Sequence, residues 1–250
     1  MKRSSSLLSL GHTSRKQSPF FLRFLTFFFE FHSNFSLKKT RWEKRSLEEH
    51  LKDPRGQAIY SVVHGGMDLQ LRKSSISFLS SLPFDGMAVG GSVGRDRNHL
   101  FEFLSFLSPL LPVDKPKHLL GIAEPYSVHS VILHGFDTFD SCFPTRAARH
   151  GNLFVFQDPK SDLGGKWPFL PFDAEKDVVR IRQGKHAAEH GIKIDRNCAC
   201  YSCTNFDRSY LHHLFKTSEA TALTLATIHN ITVMNKICER YKELILEGKI

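Results

Sequence analysis

Between residues 58 and 144, short apolar runs alternate with longer stretches of helical period, and each run stops at glycine or a polar residue. Ala58 to Val63 ends at His64-Gly65-Gly66, and the segment Met67 to Leu82 behind it carries Leu69, Ile76, Leu79 and Leu82. Met87-Ala88-Val89 ends at Gly90-Gly91. Leu100, Phe103, Leu104, Leu107 and Leu111 then fall at helical spacing, with Pro109 and Pro112 fraying the end. His118 to Ala123 predicts a third strand followed by a short helix from Pro125. Phe136 to Asp140 predicts a fourth, leading into a loop that contains Pro144. Repeated β-α units at this spacing imply a parallel sheet. The expected fold class is therefore α/β, a partial (β/α)8 barrel of the TIM type, because ligand sites in barrels gather where strands end. A doubly wound sheet is the alternative, but Gly90-Gly91 lacks the G-x-G-x-x-G spacing of a dinucleotide fold.

Beyond this region, Cys198, Cys200 and Cys203 fall within six residues, while Cys142 and Cys238 stand apart. Five cysteines placed so unevenly do not make a disulfide scaffold, and a reducing, cytoplasmic compartment fits them better. Three soft thiolates suit tetrahedral zinc lacking only a fourth ligand. His212, His213, His229 and Cys238 are all candidates by spacing. A closed four-ligand site would be structural; unpaired buried cysteines are the bland reading.

A second chemical signal is Asp140 at a strand end, with Arg146 and Arg149 in the segment that follows. A carboxylate so placed can serve as nucleophile or base while the arginines hold phosphates, or it can be an ordinary loop salt bridge. Cys142 has no histidine placed to activate it and reads as a packing residue. Glycines at the strand ends let a planar ligand approach the backbone, or simply make tight turns.

The net charge of +9 makes nucleic acid the first partner to test. The core-forming capacity of a chain that is 41% hydrophobic argues against wholesale disorder, and no apolar run is long enough to predict a membrane span. Residues 1–35 differ in character. They hold eight of the 22 phenylalanines and supply +4 of the charge, with neither helical nor strand period and no small-residue cleavage site. They are expected not to fold. Residues 36–155 are expected to form the β-α units, opened by a helix over 36–50 carrying Leu37, Trp42 and Leu47, and 156–250 the metal-binding subdomain and C-terminal helices.

Taken in order, FDGMAVGG, DKPKHLLGIAEP, GFDTFDSCFPTRAARHGNLF, CACYSC, RSYLHHL and TIHN resemble the tRNA-guanine transglycosylases (queuine tRNA-ribosyltransferases) from about Ser36 to Ile250. The resemblance implies a modified (β/α)8 barrel with an inserted zinc subdomain. The implied activity exchanges the wobble guanine of certain tRNAs for queuine or another 7-deazaguanine. It implies that Asp140 is the nucleophile forming a covalent ribosyl-enzyme, and that His64, Gly91 and Leu120 line the base pocket. Gly121, Ile122, Ala123, Glu124, Pro125, Tyr126 and Ser127, with Thr145, Arg146, Ala147, Ala148 and Arg149, match RNA-contacting segments. Cys198, Cys200, Cys203 and His229 match the zinc ligands. The family commonly dimerises, although the final helix, with Ile231, Met234, Cys238, Tyr241 and Ile245, can equally pack internally.

The chain departs from the family pattern in four places. His64 replaces the Gln of a Q-G-G motif, and a neutral imidazole offers one donor and one acceptor where a carboxamide offers two donors and an acceptor. Ser92 replaces Leu, implying a pocket rim open to a different or bulkier base. The stretch between Phe156 and Gly191, with Gly164, Gly165, Pro168 and Pro171, is longer than the pattern and reads as a surface loop. The D-S-G-G-F-Q segment and a second base-binding aspartate of the family's N-terminal half are not found. Two expectations follow: a transglycosylase acting through Asp140, or a truncated, non-catalytic, zinc-stabilised RNA-binding remnant of one.

Overall fold

A computed structural model of the chain describes residues 40–91, 96–155 and 177–250. Residues 1–35, Leu37, Ser92 and the loop glycines and prolines from Gly164 to Pro171 lie outside these.

Helix α1 (40–50) comes first. It buries Leu47 but leaves Trp42 60% exposed, so of these two expected apolar side chains only Leu47 enters the core. The alternating region then gives β1 (Tyr60–Val63), α2 (Leu69–Ser80), β2 (Gly86–Val89), α3 (Arg97–Leu107), β3 (Lys117–Leu119), α4 (Pro125–Leu133) and β4 (Thr138–Phe139). The third and fourth strands are shorter than the expected 118–123 and 136–140. Asp68 starts α2 by accepting from the Gln70 and Leu71 N–H groups, and Asp96 caps α3 through His99 N–H. The stretch around Pro144 is helix α5 (Phe143–Arg149), not a loop. Proline lies in its first turn, where its missing N–H costs no helical bond.

The four strands form one parallel sheet in the order β1-β2-β3-β4. Register and alternation divide its side chains cleanly. Val63, Met87, Val89 and Leu119 face the helices and join Leu79, Leu104 and Leu107 in one core. Tyr60, Val62, Gly86, Ala88, His118 and Thr138 occupy the opposite face. Small residues on β2 are required there. A Cβ on Gly86 would come within 2.5 Å of the Tyr60 ring, and one on Gly90 within 2.7 Å of Leu120.

The remaining chain builds an antiparallel hairpin, β5 (Asn152–Phe154) with β6 (Val178–Arg180), then α6 (Tyr201–Asn205), α7 (Arg208–Lys216) and the 27-residue α8 (Ala220–Leu246). Helix α8 buries Met234 and Tyr241 among Val128 and Phe154, whereas Ile231 and Ile245 remain on its outer side. Among the described residues no helix is long and apolar enough to cross a membrane.

Asn230, fully buried on α8, ties α5 and β5 together. Its Oδ1 accepts from Phe154 N–H at 3.0 Å, and its Nδ2 donates to Pro144 O at 3.0 Å and Asn152 O at 2.9 Å. Asn230→Ala is expected to cost about 2–3 kcal/mol, because a buried backbone donor and two carbonyls lose their partner. Urea unfolding of the purified variant measures it, and a loss under about 0.5 kcal/mol would contradict the account.

Candidate functional site

Four strand ends converge on one side of the sheet: His64 after β1, Gly90-Gly91 after β2, Leu120-Gly121 after β3 and Asp140 after β4. Alternation sets His64, Gly90, Leu120 and Asp140 on the face turned away from the helices. Gly91, at φ +77°, holds a backbone conformation that side chains rarely adopt, and a Cβ there would meet only Arg72 Nη2, at 3.8 Å.

Beneath these ends lies Arg72, a residue sequence reasoning missed. It rises from α2 with 1% exposure and donates to the carbonyls of Val63, Gly66 (2.9 Å) and Gly90 (2.7 Å). Its guanidinium also stacks 5.0 Å above Phe103. Burial lowers its pKa from the usual guanidinium range to about 10, so it stays charged at neutral pH. The planar fork thus pins β1 and β2 together where they end. Arg72→Met is expected to destabilise the fold by about 2–4 kcal/mol, the weight of charged donors lost from buried carbonyls. Arg72→Lys should restore little of it, since one ammonium cannot span three carbonyls. Guanidinium denaturation reads both.

His64 is fixed from outside. Its ring Nε2 lies 3.2 Å from Glu43 Oε1 on α1, its backbone N–H donates to Ser75 Oγ, and Glu43 Oε2 accepts from Val62 N–H. Glu43 is a second residue that the sequence did not single out.

Asp140 does not pair with Arg146 or Arg149. Its Oδ1 accepts from Gly121 N–H at 3.1 Å and lies 3.1 Å from His118 Nε2, while His118 Nδ1 lies 2.8 Å from Thr138 Oγ1. Oδ2 takes no hydrogen bond among the described residues. One carboxylate oxygen is held and the other presented to solvent, on a side chain 62% exposed.

Helix α5 follows immediately. Arg146 and Arg149 are exposed and turn to Cys142 Sγ and Thr145 Oγ1 respectively, whereas Ala147 and Ala148 point into the core. Of the segment 121–127, Ala123, Pro125 and Ser127 are buried and Gly121 is exposed, so the outward chemistry there is backbone plus Ile122, Glu124 and Tyr126 at half exposure.

The cysteine cluster is complete. Ligand atoms of Cys198, Cys200, Cys203 and His229 all lie within 4.8 Å of one another, and all four residues are buried. His229 Nδ1 is 3.3 Å from Cys203 Sγ and 3.6 Å from Cys200 Sγ. A tetrahedral zinc with Zn–S of about 2.3 Å and Zn–N of about 2.0 Å needs ligand atoms roughly 3.5–3.8 Å apart, so the set fits. His229 Nε2 lies 2.6 Å from Phe154 O and must donate to it, which leaves the Nδ1 lone pair aimed at the sulfurs. Hydrogen bonds from Cys198, then Cys203, pull Cys200 well below the usual thiol range, toward the thiolate a metal requires. Among the other candidates, His212 is spent on Ile181 O, His213 is exposed, and Cys238 lies away beside Tyr241.

Residues 36–250 match the family model described as Queuine tRNA-ribosyltransferase. The chain is 45% identical over 216 residues to the queuine tRNA-ribosyltransferase of Protochlamydia amoebophila (strain UWE25), covering 86% of this chain and 51% of that protein. It is 39% identical over 210 residues to the protein of that name from Chlamydia caviae and 38% identical over 210 to that from Chlamydia pneumoniae, each match covering 84% of this chain and 51% of the relative. The chain thus spans about half the length of the curated relatives it matches.

Proposed function

The chain belongs to the queuine tRNA-ribosyltransferase family, and from that premise we propose that it carries the nucleophile and the structural zinc site of a tRNA-guanine transglycosylase. The substrates in this reading are a tRNA with a wobble guanine and queuine or a related 7-deazaguanine. The observation that carries it is Asp140: a carboxylate with Oδ1 held by two donors and Oδ2 free, beside a rim of strand ends.

The chemistry runs in two displacements. Asp140 Oδ2 attacks ribose C1′ and guanine departs, leaving the ribose esterified to the enzyme. The incoming base then attacks the same carbon from the vacated face, so configuration is retained overall. Backbone at Gly91, with Leu120 beside it, forms the wall against which a planar base lies. His64, with Nε2 engaged by the Glu43 carboxylate, offers only the Nδ1 lone pair to the base edge, one contact where a carboxamide gives more. Arg146, Arg149 and Thr145 supply phosphate contacts from α5, with the 121–127 segment on the other side of Asp140.

Zinc, held by Cys198, Cys200, Cys203 and His229, supplies fold stability and takes no part in the displacement. The unreversed strand order supports the barrel, since a doubly wound sheet changes direction at its switch point. A cytoplasmic location and a homodimer complete the reading.

Incubating the 250-residue chain with tRNA and labelled guanine tests it. Label entering tRNA is the expected result. A zinc-loaded, monodisperse sample that binds tRNA but exchanges nothing would replace this reading with the RNA-binding remnant.

A further inference from the structure

His118 belongs to none of the roles assigned so far, yet it touches the nucleophile. It is the register partner of Thr138 across the β3–β4 ladder, and Asp140 follows two residues on, on the same face. The three side chains make a continuous chain: Thr138 Oγ1 to His118 Nδ1 at 2.8 Å, His118 Nε2 to Asp140 Oδ1 at 3.1 Å. An ionised carboxylate only accepts, so the proton of a neutral imidazole sits on Nε2, and Nδ1 accepts from the Thr138 hydroxyl. Thr138 therefore fixes the tautomer that lets His118 donate. At 23% side-chain exposure the ring is far more enclosed than the 62% exposed carboxylate it holds.

We propose that His118 is a positioning residue that favours the free carboxylate of Asp140 over its ribosyl ester, and so keeps the covalent intermediate from accumulating. This rests on Asp140 being the nucleophile. In the first displacement Oδ2 bonds to C1′ as the C1′–N9 bond breaks, and its electron pair leaves on guanine, which takes a proton from water. In the second, the incoming base bonds through its nitrogen lone pair and gives its N–H proton to water, while the Oδ2–C1′ pair returns to the carboxylate. Negative charge on Asp140 is thus spent in the first step and recovered in the second. A hydrogen bond to a charged acceptor is worth roughly twice one to a neutral acceptor. The His118 donor consequently stabilises the carboxylate before and after the ester more than it stabilises the ester. Gly121 N–H acts on the same oxygen, but only His118 can be removed by substitution.

The full chain is incubated with tRNA at one fixed guanine concentration, and the covalent protein–tRNA adduct is quantified on a denaturing gel. His118→Phe is expected to raise the ratio of adduct to free chain roughly tenfold, the excess of a charge-assisted over a neutral hydrogen bond. His118→Gln, whose carboxamide N–H extends toward the Nε2 position, should return most of the way to wild type. Thr138→Val keeps the ring but frees its tautomer, and should raise the ratio a few-fold without depending on whether His118→Phe folds. An unchanged or lower ratio in Thr138→Val and in any folded His118→Phe sample overturns the proposal while leaving Asp140 as nucleophile. Wild-type chain that gives no more adduct than Asp140→Ala overturns the nucleophile reading, and this one with it.

Discussion

Asp140→Ala is expected to lower guanine exchange by at least about a thousandfold, because in the proposed double displacement the ester forms on this carboxylate and the reaction has no detour around it. The fold should be nearly untouched. The side chain is 62% exposed and its described contacts are limited to Gly121 N–H and the His118 ring, so stability should fall by no more than about 1 kcal/mol. Binding of tRNA should hold within a few-fold, since the side chains proposed to contact phosphate sit on α5 and not on the carboxylate. Asp140→Asn keeps the shape and an oxygen for both donors but loses the charge, and should be as inactive as alanine. The measurement is label incorporation into tRNA alongside filter binding of the same preparations. Exchange by Asp140→Ala above about a tenth of wild type would falsify the nucleophile assignment.

Removing one cysteine or His229 from the buried cluster is expected to have the largest effect on stability. In isolated zinc-binding peptides the metal contributes roughly 10 kcal/mol or more to folding. Here the ligands sit in a core with Leu153, Ile181, Ile194, Leu211 and Leu225, which limits the loss but does not remove it. Cys203→Ala or His229→Ala should lower bound zinc from about one equivalent to well under half, and reduce stability by at least about 4 kcal/mol, or roughly 10 °C in Tm. A strong chelator should do the same to the unmodified chain, slowly, because all four ligands are buried. Metal analysis and calorimetry on one sample decide the matter. Variants that retain a full equivalent of zinc would show that the four residues are not the ligands.

The sequence carried these two sites to different depths. Strand ends at His64, Gly90-Gly91 and Asp140 were legible because glycine and polar residues interrupt apolar runs, whereas Leu120 was placed beside them only by the family resemblance. What it could not carry was register. His118 meets Thr138 only because β3 and β4 pair at those positions, and nothing in either segment announces it. The signal available was the spacing of Thr138 and Asp140, two apart and hence on one face. Arg72 escaped because a lone arginine in a helical segment ordinarily lies on the solvent side; only the sheet shows the three carbonyls that draw it inward. The α5 helix was concealed by reading Pro144 as a loop residue. Spacing left four candidates for the last metal ligand, and the packing of α8 against α6 brings His229 alone to the cysteines.

His229 and Asn230 are neighbours on α8, both without exposed surface, and they grip opposite things. One faces the metal cluster and the Phe154 carbonyl; the other holds Phe154 N–H and the carbonyl of Pro144 in the first turn of α5. This dipeptide works as a splice between a rigid anchor and the arm that carries Arg146 and Arg149. In the proposed reading, metal occupancy acts as a calibration of distance: with the anchor filled, Arg146 and Arg149 stand at a fixed reach from Asp140, which lies six and nine residues before them in the chain. If zinc fills the cluster and α5 contacts tRNA as proposed, binding to the tRNA backbone should slacken before the sheet melts as metal is withdrawn.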